Sequence, residues 1–142
     1  MRKSTEELTN EIKSGTRIDS FLRVNRESFE DLSLAGYLQE RLEAYGCSRR
    51  EVLERADMTS TNYGYEMFHS DKKVAGRDKI IQICMGFPLN LEETQKALRC
   101  GNAGPLYPRR HRDAIIMMAI HRGYTVGQLN DLLYENQEKT LF

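Results

Sequence analysis

Apolar residues recur every three or four positions along nearly all of this chain, and no alternating apolar–polar run extends beyond a few residues. That period predicts helices and not strands. The first stretch, residues 1–15, carries Ser4 and Glu7 at capping-box spacing, Leu8 and Ile12 four apart, and Gly15 to end it. Ile18, Phe21, Leu22 and Val24 predict a second short helix. A longer one begins at Asp31 or Ser33. Its stripe is Leu34, Tyr37, Leu38, Leu42 and Tyr45, and Gly46 can take the left-handed conformation that closes it.

Two short helical patterns follow. Ser48 and Glu51 form a capping box ahead of Val52, Leu53 and Ala56. Asp57-Met58-Thr59 breaks the run, and Thr59 or Ser60 is the expected cap of a helix with Tyr63, Met67 and Phe68 on its apolar side. Ser70-Asp71-Lys72-Lys73 reads as a polar turn. Asp78 leads into Lys79 to Met85, apolar on nearly all sides and therefore expected in the core. Gly86 and Pro88 stop it. Asn90 and Glu93 cap the next helix, whose stripe is Leu91, Thr94, Ala97 and Leu98. Gly101 to Pro108 is the clearest break. A helix from Asp113 to Arg122 and another capped by Thr125 and Gln128 complete the pattern, with Glu135 to Phe142 expected to fray.

The chain has 142 residues, enough for one core of its own. Hydrophobic content of 39% with 30% charged residues is that of a globular protein, not a disordered one. Lys plus Arg and Asp plus Glu are both 21, which speaks against a generally adhesive nucleic-acid binder while leaving room for a local basic face. Ala114 to Ile120 is the longest apolar run, far too short to span a bilayer. The opening Met-Arg-Lys-Ser-Thr-Glu-Glu has no apolar run behind it, the pattern expected of a cytoplasmic chain without a signal peptide. Cys47, Cys84 and Cys100 are widely spaced, so free and mostly buried thiols are expected instead of a metal or disulfide framework.

These elements give an all-α reading: a helical extension over residues 1–30, a five-helix core over 31–104 with the helix–turn–helix as its second and third members, and a helical hairpin over 105–142 packed on that core. The chain resembles the XRE-type, lambda-repressor-like helix-turn-helix regulators. The residues that carry the resemblance are Tyr63-Gly64-Tyr65-Glu66-Met67-Phe68, Ala75-Gly76-Arg77-Asp78, Leu89-Asn90-Leu91-Glu92-Glu93, Leu106-Tyr107-Pro108-Arg109-Arg110-His111-Arg112-Asp113 and Asn130-Asp131-Leu132-Leu133-Tyr134. In those regulators a glycine usually stands in the turn where this chain has Ala56-Asp57-Met58. A second glycine is Ser70 here and a following proline is Ala75.

The resemblance implies a transcriptional regulator that lays one helix in the major groove of double-stranded DNA, as a homodimer reading two half-sites about one helical turn apart. Arg49, Arg50, Lys72, Lys73 and Arg77 would then meet phosphates, which fix register without reading sequence. Ser60, Thr61 and Asn62 at the leading end would reach base edges, asparagine being matched to adenine, and the Tyr65 phenol could donate to a phosphate. Two features favour a different reading. From residue 46 to 88 there are seven basic and six acidic residues, and no Lys or Arg lies between Ser60 and Phe68, where Glu66 does. On that reading the fold is kept but the partner is another protein, as an adaptor or inhibitor. The run Arg109 to Arg112 is a further phosphate patch or a solvated helix start, with Asp113 as its cap; Arg77-Asp78 shows the same Arg-Asp pairing earlier. His69, His111 and His121 lack metal-ligand spacing on one helix face. No nucleophile–base set, carboxylate pair or phosphate loop can be placed. Neither a catalytic activity nor a cofactor is expected.

Overall fold

In a computed structural model, residues 2–29, 33–60, 62–69 and 75–142 are described. Among them are nine α-helices and no strand: α1 Thr5–Lys13, α2 Ile18–Val24, α3 Leu34–Tyr45, α4 Arg49–Arg55, α5 Tyr63–Met67, α6 Arg77–Gly86, α7 Leu91–Cys100, α8 His111–His121 and α9 Val126–Glu135. None of these helices is long and apolar enough to cross a membrane. The chain divides into two compact units, Met1–Asp31 and Leu32–Phe142.

The first unit holds α1, α2 and a 3-10 turn, Arg26–Ser28. Ser4 caps α1 by accepting from the Glu7 N–H, while the Glu7 carboxylate takes the Ser4 hydroxyl instead of its N–H. The Lys3 N–H donates to Ser28 Oγ at 2.9 Å, Lys3 Nζ pairs with Glu11 at 2.7 Å, and the Phe21 and Phe29 rings meet edge to face. Neither helix has a fully buried residue.

The second unit is built on a buried cluster drawn from α3 to α9. The capping boxes at Ser48/Glu51, Asn90/Glu93 and Thr125/Gln128 are all formed, so α4, α7 and α9 start where the spacing places them. Gly46 ends α3 in the left-handed region, φ 63°. Glu93 joins α3 to α7: it accepts from Arg41 at 2.7 Å, from the Tyr45 hydroxyl and from the Asn90 N–H. Burial opposes its ionisation, but those three donors hold its carboxyl below the usual carboxylate value.

The tightest helix approach is between α4 and α6. A Cβ at Gly86 would stand 2.2 Å from the Val52 carbonyl oxygen and 3.0 Å from Ala56 Cβ, so the two backbones meet where only glycine fits. Gln82, 1% exposed, donates from Nε2 to the Ala56 carbonyl at 2.8 Å, satisfying one of the carbonyls that α4 leaves open at its end. Asp57 follows at φ 57°, and the Met58 N–H returns to the Leu53 carbonyl at 2.8 Å. This is a left-handed cap carried by an aspartate.

Several boundaries differ from the sequence reading. The fifth helix begins at Tyr63 with Asn62 before it and no side-chain cap, not at Thr59 or Ser60. Within it, Gly64 packs closely on α4: a Cβ there would stand 2.5 Å from Leu53 Cδ2. The polar turn expected at Ser70 to Lys73 lies outside the described residues. The eighth helix begins two residues early, at His111, and Asp113 is a buried residue of its first turn, not its cap. The segment expected to fray is packed: Leu141 is buried and its N–H donates to Asn130 Oδ1 at 2.8 Å.

Gly86→Ala is expected to destabilise the protein. Alanine gains about 1 kcal/mol of helix propensity, but the overlap with a backbone oxygen forces α4 and α6 apart at a cost of ~3 kcal/mol or more. Asp57→Gly is expected to act oppositely, stabilising by about 1 kcal/mol because glycine carries no Cβ penalty at positive φ. Urea denaturation midpoints of the two variants should move in opposite directions from the parent.

Candidate nucleic-acid interface

The sequence places its candidate site on α4 and α5, and the structure brings part of that set together. Arg49 and Arg50 are the first two residues of α4, held in place by the Ser48 cap. Arg49 Nη1 donates to His69 Nε2, just past the end of α5. Arg50 lies beside Glu54, to which its Nε donates at 3.0 Å. Arg49 and His69 thus join the start of α4 to the end of α5, and Arg50, Tyr65 and His69 are all exposed.

Ser60, Asn62 and Glu66 are exposed and Tyr65 is partly so, while Gly64, Met67 and Phe68 face the core. The polar side of α5 thus points outward. The Gln39 amide donates to the Phe68 carbonyl and fixes the far end of α5 against α3. Thr61, Lys72 and Lys73, also expected at this site, lie outside the described residues.

Arg77 belongs elsewhere. Its guanidinium donates to both oxygens of Asp113, at 3.0 and 2.8 Å, and to the carbonyls of Gly104 at 2.9 Å and Pro105 at 2.8 Å. All the directions of its planar fork that meet these acceptors are used inside the fold. Lys79 is similarly engaged, its Nζ donating to Gln82 Oε1 and lying over the Phe142 ring. Of the flanking cations with described positions, Arg49 and Arg50 are the ones that stay beside α5.

The basic run at 109–112 is also divided. Arg112 grips Asp78 through both oxygens, at 2.9 and 3.1 Å, and His111 meets Glu138 at 3.3 Å. Arg109 and Arg110 remain exposed. This open groove of about 800 Å³ mixes Arg77, Arg110 and Arg112 with Asp113 and Glu138. A second groove, about 730 Å³, lies between the α6–α7 and α8–α9 loops with Arg55 on its rim, and its floor is mainly apolar.

Among the described residues no group of three His, Cys, Asp or Glu is placed to hold a metal ion. Cys84 is enclosed and burial pushes its thiol up, away from the reactive thiolate form; Cys100 is buried too, and Cys47 is half-buried.

The Arg77–Asp113 pair makes acid sensitivity predictable. Burial of Asp113 opposes its charge, yet the Arg77 guanidinium and the Tyr107 N–H hold its carboxyl below the ordinary aspartate value. A carboxyl lowered in the folded state contributes stability above its unfolded pKa, about 4, and that contribution is lost as pH falls through the folded value. Asp113→Asn is expected to lower the urea midpoint at pH 7 and to flatten its decline between about pH 5 and 2, so the two profiles converge in acid. Parallel profiles would remove Asp113 from the acid response.

Comparison with protein-family models, with curated proteins and with solved structures finds no match to this chain, so its own residues carry the functional reading.

Proposed function

We propose that the protein is a sequence-specific DNA-binding regulator of the helix-turn-helix kind, with α5 as the element presented to the major groove. The observation that supports this reading is the exposed polar approach to α5, Ser60 and Asn62, together with exposed Tyr65 and with Arg49 of α4 in contact with His69 just past the end of α5. Among the described residues Arg49 contacts the His69 ring, an arrangement that suits a guanidinium presented to a phosphate. Asn62 suits adenine, and the two arginines suit backbone contacts that set register. Arg77, committed to Asp113, has no part in them.

A second reading has its own support. Arg50 is answered by Glu54, and Glu66 is exposed on α5, which suits a protein partner with basic side chains better than a polyanion. The two readings diverge in one measurement. Fluorescence anisotropy with genomic fragments should give binding that falls steeply with salt, and Arg49→Ala or Arg50→Ala should each reduce the slope of log K against log[salt] by about 1. Asn62→Ala should relax base preference instead, by about 1–3 kcal/mol at one position. No retention of any fragment at low salt would leave the protein-partner reading standing alone.

A further inference from the structure

The two hairpins α6–α7 and α8–α9 repeat each other at a spacing of 35 residues. Arg77-Asp78 matches Arg112-Asp113, and Ile80-Ile81 matches Ile115-Ile116. The capping box Asn90/Glu93 matches Thr125/Gln128. The repetition extends to the backbone. Asn102 and Gln137 are both left-handed, at φ 55° and 62°, and the next N–H returns to Leu98 and Leu133 respectively, each at 2.8 Å. Gln95 and Asn130 then each accept from the N–H of a buried leucine in the tail, Leu106 and Leu141. Even the arginine contacts recur: Arg77 takes the carbonyls of Gly104 and Pro105, and Arg112 those of Lys139 and Thr140.

The contacts between the hairpins are reciprocal. Arg77 grips Asp113, and Arg112 grips Asp78. α6 packs on α9 and α7 on α8. This is the pattern of an isologous, two-fold interface, in which residue i meets j and j meets i, here closed within one chain. The link between the halves is Pro108 to Arg110. It follows Leu106 and Tyr107, which are fixed by Gln95 and Asp113. Exchange of one element between copies at such a connection is a low-cost route to dimers.

We propose that the α8–α9 hairpin is an exchangeable arm, and that its seat on α6–α7 accepts the same arm from a second copy of this chain, giving a dimer by reciprocal exchange. The seat needs no other chemistry, because the surface offered to the arm from within is the one offered from outside. Intramolecular closure wins in dilute solution because the hinge supplies a high effective concentration. The proposal does not depend on what α5 contacts.

Two single variants of the full chain test it. Asp78→Arg sets a second guanidinium against Arg112, and Arg112→Asp sets a second carboxylate against Asp78. Each alone is expected to lower Tm by on the order of 10 °C, since a half-buried ion pair is replaced by two like charges. Both changes in one chain should recover most of that loss. Mixing the two single variants should give a 1:1 heterodimer by native mass spectrometry. In that dimer one seat pairs the introduced arginine with the introduced aspartate, and the other holds the parental Asp78–Arg112 pair. The doubly changed chain gaining nothing over the single variants would overturn the reciprocal pairing. A mixture that stays monomeric, with the doubly changed chain recovered, would overturn exchange.

Discussion

The approach of α6 to α4 at Gly86 is the constraint on which the central unit depends. A backbone oxygen of one helix occupies the space a Cβ of the other would need. Close contact brings Gln82 within reach of the carbonyl that α4 leaves unpaired at its end, so the amide and the glycine act together. The left-handed turn at Asp57 is thereby fixed from below, and α5 can follow at a defined angle although it is only five residues long. A helix that short has no stability of its own. Its position comes from Gly64 against Leu53, from buried Met67 and Phe68, and from Gln39 on the Phe68 carbonyl.

The crossed arginine–aspartate pairs hold the other half. Each arginine bridges the facing hairpin and the tail of its own hairpin, which explains why the last residues are packed. Planar guanidinium groups suit this because they can meet a carboxylate in parallel and still donate to carbonyls. Lysine could satisfy the charge but not the geometry. The same pairs remove Arg77 and Arg112 from the population of cations available to a polyanion. The zero net charge of the chain therefore conceals an uneven division, with some arginines structural and others, such as Arg49, on the surface.

Part of the candidate site was legible from residue types alone. Ser48 and Glu51 announce the start of α4, and that start places Arg49 and Arg50. The exposed polar residues at 60 and 62 follow from a break in apolar period. Arg77 was misplaced because a cation near the motif in sequence looks the same whether it faces solvent or a buried Asp113 thirty-six residues away. The repeat was signalled by Arg-Asp-x-Ile-Ile at both 77 and 112, but the intervening caps differ in residue type, Asn and Glu in one and Thr and Gln in the other, so likeness appears only once hydrogen bonds are compared.

What the sequence determined by itself is local: helical period, three capping boxes, the stops at Gly46 and Gly86, and hence the helical character of the described residues. These depend on interactions spanning three or four residues, which a linear pattern records directly. Tertiary structure alone decided where α5 begins, that Asp57 takes a positive φ, that Asp113 is an ion-pair acceptor instead of a cap, and that the final residues pack. Each of those follows from a neighbour far along the chain, a helix backbone, a buried carboxylate or a tail carbonyl, whose proximity no spacing of residues encodes.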